Sequence, residues 1–75
     1  MLDRIEICPR VCGGKPVIAG TRIPVTVVLE QLATGESWES ILGGYPELCI
    51  EDIRASLDYA KALIDHTDIV SAAAP

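Results

Sequence analysis

The chain has 75 residues, a formal net charge of −5 at pH 7 and 49% hydrophobic residues, with no Phe, one Trp and two Tyr. A chain of this length forms one small domain with an aliphatic core, and its negative charge disfavours nonspecific binding to nucleic acid. Because nothing in it approaches the roughly 18 consecutive apolar residues of a membrane helix, and the opening MLDRIEI has no apolar signal core, we expect a cytoplasmic protein.

The first elements along the chain are predicted strands. Residues 4–8 alternate polar and apolar side chains, which indicates a half-buried strand. Pro9 either ends this strand or confines it to a sheet edge. A turn at Gly13-Gly14 leads to a second apolar run at 17–19. We therefore predict a strand pair or irregular hairpin arm over residues 3–23. A lone hairpin is marginal in water, so the arm should pack on the helices or pair with a second protomer.

Two short helices are predicted next. Pro24 is tolerated in the first helical turn because it has no N–H to leave unpaired, and Gly35 ends the first helix. Ser37 can cap the second helix, which residues 43–46 break. The apolar positions that define these helices are Val25, Val28, Leu29, Leu32 and Ala33, then Trp38, Ile41 and Leu42. Trp38 is expected to fold over the core.

The third predicted helix is the longest and is amphipathic. Its apolar residues recur at steps of three and four. They are Ile50, Ile53, Leu57, Ala60 and Ile64, with Leu63 alongside. The three predicted helices occupy residues 24–66, and the single domain is expected to cover 1–67, followed by a frayed tail at 68–75.

A short helix, a Gly-containing turn and a longer helix are the elements of a helix-turn-helix. The break at 43–49 exceeds the usual turn of three or four residues. The third helix also opens with Ile50-Glu51-Asp52-Ile53, and Arg54 is its one early side chain of the types that read base edges. The order of the helices therefore fits a DNA-binding helix-turn-helix better than the side chains at the start of the third helix do.

Cysteine and histidine placement gives little support for a metal site. Cys8, Cys12 and Cys49 are an odd set without a second ligand pair, so we expect reduced thiols, no metal and no cofactor. The alternative is a metal site in which Cys49 and His66 converge on Cys8 and Cys12.

Charge is unevenly distributed along the chain. Residues 1–24 contain four basic and two acidic side chains, whereas residues 25–75 contain two basic and nine acidic ones. The candidates for contact with nucleic acid are Arg10, Lys15, Arg22 and Arg54. The alternatives are an ion pair of Arg22 with Glu30 or with a carboxylate of a second protomer, and a solvated turn at Lys15.

The acidic part of the chain, residues 25–75, is complementary to a basic partner surface, such as the substrate groove of an RNA-cutting enzyme. The candidates for contact with a partner protein are Glu51, Asp58 and Asp65. The alternative is that carboxylates of this region decorate solvent-facing turns and helix starts, where the helix dipole favours them.

Catalysis is not expected. His66 lies at the end of the third helix and lacks a fixed partner as a general base. The segment Gly13-Gly14-Lys15 resembles part of a phosphate loop but lacks the upstream glycine and the following Ser or Thr.

Four segments resemble one protein family. They are residues 14–18 (GKPVI), residues 20–25 (GTRIPV), the turn Tyr45-Pro46-x-Leu48, and residues 51–60 (EDIRASLDYA). Together they are similar to the domain of unknown function 433 (DUF433) family over roughly residues 5–64. The resemblance implies a mainly α, homeodomain-like three-helix (helix-turn-helix) domain preceded by a β-strand pair. It also implies an antitoxin-like component of a type II toxin-antitoxin pair, which neutralises a PIN-like or Mut7-C-type ribonuclease toxin and binds its own operator.

Two departures from the family pattern bear on these expectations. Cys49 stands where a Thr or Ser is common, and a thiol caps a helix more weakly than a hydroxyl does. About ten residues follow Ile64, which is short for a segment that wraps a toxin.

Three functional hypotheses result: an antitoxin-like binding module, a stand-alone helix-turn-helix regulator, or a structural assembly module. The aliphatic content of so short a chain also favours a homodimer, with a monomer that buries all its aliphatic residues as the alternative.

Overall fold

The computed structural model of the protein describes residues 4–66, which form two short strands and three helices. The elements are β1 (Ile5–Glu6), β2 (Val17–Ile18), α1 (Val25–Ala33), α2 (Trp38–Gly44) and α3 (Ile50–Asp65). This order confirms the predicted fold class, a mainly α domain with an N-terminal strand pair. The predicted tail at 68–75 lies outside the described residues.

The strands form the N-terminal arm through backbone hydrogen bonds. β1 pairs antiparallel with β2, with Ile5 opposite Ile18. On its other side β2 meets the chain that leads into α1, because Ile18 N–H donates to the Ile23 carbonyl at 2.9 Å. Thr21 holds this connection, since its hydroxyl donates to the Ile18 carbonyl at 2.8 Å and accepts the Ile23 N–H at 2.9 Å. Two residues of β2, Val17 and Ile18, are buried as a result.

The helix boundaries follow the predicted start and stop residues with one difference. The Ser37 hydroxyl accepts the Ser40 N–H at 3.0 Å, which confirms the predicted cap of α2. α2 then continues through Gly43 and Gly44, because glycine weakens a helix without ending it. Pro46 stops the helix instead, since it excludes the helical conformation of the preceding residue.

The core lies between the strands and the three helices. Its buried members are Ile18, Ile23, Val25, Val28, Ile41, Leu48 and Ile53. Trp38 packs against this cluster and is half-buried, as predicted. No helix within residues 4–66 is long and apolar enough to cross a membrane.

The structure corrects the predicted buried face of α3. Of the five apolar residues at steps of three and four, Ile53 is buried, whereas Ile50, Leu57 and Ile64 are exposed. The face that meets the core instead includes Asp52 and Ser56. The Ser56 hydroxyl donates to the Asp52 carbonyl at 2.9 Å, so that this polar group is satisfied within the helix.

Candidate functional site

A buried carboxylate joins the arm to the helical body. Asp52 is 6% exposed, and its Oδ1 accepts a hydrogen bond of 2.8 Å from Arg4 Nη1. Its Oδ2 accepts the Cys49 N–H at 3.0 Å, so Asp52 also caps the start of α3. The hydrogen bond to Asp52 raises the pKa of Arg4 above its ordinary value. The two charges therefore hold β1 against α3.

Sequence reasoning missed the role of Asp52. The signal was present, because Asp52 is three residues beyond Cys49, the spacing at which an acidic side chain reaches back to the helix-capping residue. This interaction compensates for the weak capping expected of the Cys49 thiol.

Three basic side chains form what we call the basic loop surface, defined as Arg10, Lys15 and Arg22. All three are exposed. The loops that carry them are in contact, since Cys12 Sγ donates to the Arg22 carbonyl at 3.4 Å. Within residues 4–66, none of the three has a carboxylate oxygen within 4.0 Å. The alternative pairing of Arg22 with Glu30 is therefore not formed.

The loop between the strands has an unusual backbone where it approaches Arg22. Cys12 has a φ of 51°, and the two glycines that follow it also have positive φ. A residue with a side chain rarely adopts this conformation. Cys12 thus combines a strained backbone with the thiol contact to the Arg22 carbonyl that joins the two loops.

The fourth nucleic-acid candidate, Arg54, lies apart from this surface. It is exposed on α3, four residues after Ile50 and three before Leu57. The structure therefore divides the sequence-predicted basic candidates between the loops and α3.

The three partner-binding candidates form what we call the acidic row, defined as Glu51, Asp58 and Asp65. All are exposed on α3, and they recur at steps of seven, which brings them onto one line along the helix. Asp65 Oδ2 also accepts a hydrogen bond of 2.7 Å from Lys61 Nζ.

The start of α3 stabilises the charge of one of these carboxylates. A backbone N–H, the Cys49 thiol and the charges of Arg4 and Arg54 lower the pKa of Glu51. Glu51 therefore keeps its negative charge to a lower pH than an ordinary glutamate does.

A second line on α3 was not predicted as a surface feature. We call it the apolar row, defined as Ile50, Leu57 and Ile64, and it runs beside the acidic row. These side chains are 44%, 40% and 69% exposed, respectively. Their steps of seven could have revealed the row, but the same residues also fit the three- and four-residue spacing of a buried helical face.

The alternative metal site is not assembled. Cys8 and Cys12 lie in the loop between the strands, and all three cysteines are free thiols. Cys49 precedes α3 while His66 follows its last residue, so α3 separates them by about 24 Å. Within residues 4–66 no three His, Cys, Asp or Glu side chains are grouped to hold a metal ion.

The comparisons with known proteins identify the family of this fold. The family model described as "Protein of unknown function (DUF433)" matches residues 5–60. The chain belongs to the DUF433 family.

Two relatives of this DUF433 chain set the scale of the similarity. The uncharacterized protein y4eO of Sinorhizobium fredii is 44% identical over 54 residues, which are 72% of this chain and 24% of that protein. A crystal structure of a DUF433 member from Anabaena variabilis is 37% identical, with a TM-score of 0.75, and the match covers 79% of this chain and 58% of that one. The chain thus spans about a quarter of the curated relative and little more than half of the solved one.

The family match covers the basic loop surface and most of α3. It ends at residue 60, so Asp65 and Ile64 lie beyond it. The acidic and apolar rows each therefore have two members inside the DUF433 match and one outside it.

Proposed function

We propose that this chain is a non-catalytic, antitoxin-like binding module that neutralises a PIN-like or Mut7-C-type ribonuclease. The observation that supports this proposal most directly is the acidic row on α3. Three exposed carboxylates lie on one helical line, and Asp65 shares its charge with Lys61 of the same helix. An enzyme that cleaves RNA needs a basic groove for the phosphates of its substrate, which this anionic line would meet. The row mimics the charge of that substrate.

The position of the row supports docking as a rigid element. α3 has 16 residues, and its start is fixed by the hydrogen bonds of Asp52 to Arg4 and to the Cys49 amide. Charges on a fixed helix lose little freedom when a partner binds, so a larger part of the interaction energy contributes to affinity.

The test is a comparison of three forms of the protein in its native host. Tagged protein is purified at low salt, and the recovered proteins are identified by mass spectrometry and assayed for RNA cleavage. We expect the wild type to recover a small ribonuclease in stoichiometric amount and to inhibit it. A triple variant, Glu51→Gln, Asp58→Asn and Asp65→Asn, should lose both properties.

A matched control separates the row from net charge. The variant Glu30→Gln, Glu39→Gln and Glu47→Gln also removes three exposed carboxylates, none of them on α3, and should behave as the wild type. The proposal is wrong if the wild type recovers no ribonuclease, or if the two triple variants inhibit the enzyme equally.

A second candidate function, operator binding, has its own supporting observation. The basic loop surface carries three exposed cations without carboxylate partners within residues 4–66. This surface would contact DNA phosphates, either in addition to antitoxin action or as the role of a stand-alone regulator. The loops and not α3 would make this contact, because the acidic row on α3 would be repelled by the phosphates that flank a DNA groove.

Salt dependence tests this second candidate. Binding to a labelled duplex from upstream of the protein's own gene is measured by fluorescence anisotropy between 50 and 200 mM salt. Each phosphate contact should contribute about −0.9 to the slope of log K against log salt concentration. The variant Arg10→Gln, Lys15→Gln and Arg22→Gln should flatten the slope by about 2.7 per protomer.

The variant Arg54→Gln is the comparison for this experiment. It removes the candidate on α3, and a loss of sequence preference with an unchanged slope would assign Arg54 to base contact. Absence of duplex binding at 50 mM salt would rule out the second candidate.

A further inference from the structure

We draw no further inference here: the strongest candidate, the apolar row exposed along α3, carries none, because nothing within residues 4–66 shows what covers it.

Discussion

The N-terminal arm (residues 4–24) and the helical body (residues 25–66) are stabilised by different means. Backbone hydrogen bonds of two-residue strands and the Thr21 hydroxyl organise the arm, whereas aliphatic packing among α1, α2 and α3 organises the body. Their charges also differ, since the arm has four basic residues and one acidic residue while the body has two and eight. One small domain therefore carries two regions of opposite charge.

The contact between the two regions explains how they form one unit. Ile18 and Ile23 of the arm belong to the same buried cluster as Ile53 of α3, and Arg4 bonds to Asp52. Variants in the body, in the contact and in the arm should therefore lower stability by decreasing amounts.

The largest loss is expected from Ile53→Ala. Ile53 has no exposed surface, so removal of its side chain should lower the free energy of unfolding by about 2–5 kcal/mol. Leu63→Ala, on the same helix but 57% exposed, should cost less than about 1 kcal/mol. Urea unfolding followed by circular dichroism measures both, and equal losses would contradict the assigned inner face of α3.

Asp52→Ala tests the contact between arm and body. It removes both the acceptor for Arg4 and the acceptor for the Cys49 amide, and should lower the free energy of unfolding by about 1–3 kcal/mol. Asp65→Ala removes an exposed carboxylate from the same helix and should change it by less than about 0.5 kcal/mol. If Asp52→Ala behaves like this control, the buried carboxylate is not what joins the regions.

Thr21→Val tests the arm by itself. The substitution keeps the shape of the side chain but leaves the Ile23 N–H without its acceptor, and a loss of about 1–2 kcal/mol is expected. Thr34→Val is the matched change in the body, where the exposed Thr34 hydroxyl donates to the Gln31 carbonyl. Thr34→Val should change the free energy of unfolding by less than about 0.5 kcal/mol. If it costs as much as Thr21→Val, the Thr21 hydroxyl is not what stabilises the arm.

The sequence predicted local features and missed those that depend on which surface of α3 meets the core. Ser37, Gly35 and Pro46 act through neighbouring backbone, so the helix boundaries could be placed to within about two residues. Ile50, Leu57 and Ile64 fit a buried face and an exposed row equally well by spacing. The structure identifies the buried side of α3 by Ile53 and Ser56, neither of which has exposed surface.

The candidate functional site could likewise be predicted from the sequence only in part. The acidic row could be predicted because a step of seven fixes alignment on any helix. The contact of the loops that carry Arg10, Lys15 and Arg22 could not, because it depends on Cys12 adopting a positive φ and reaching the Arg22 carbonyl. The partnership of Arg4 with Asp52 spans 48 residues, a separation that periodicity does not address.

The smallest expected effect concerns the acid stability of the body. The pKa of Glu51 is lower in the folded chain than its ordinary value of 4.5. Its carboxylate therefore favours folding above pH 4.5, and this contribution is lost as the pH falls through the lowered pKa. Glu51→Gln should thus reduce the decline of stability below pH 4.5, as measured by urea unfolding at a series of pH values.

Glu30→Gln removes the same formal charge from α1 and serves as the control for net charge. If both variants show the wild-type dependence on pH, Glu51 does not couple protonation to folding. If Glu51→Gln alone flattens the acid limb, the backbone N–H groups and the cations near the start of α3 stabilise its anion.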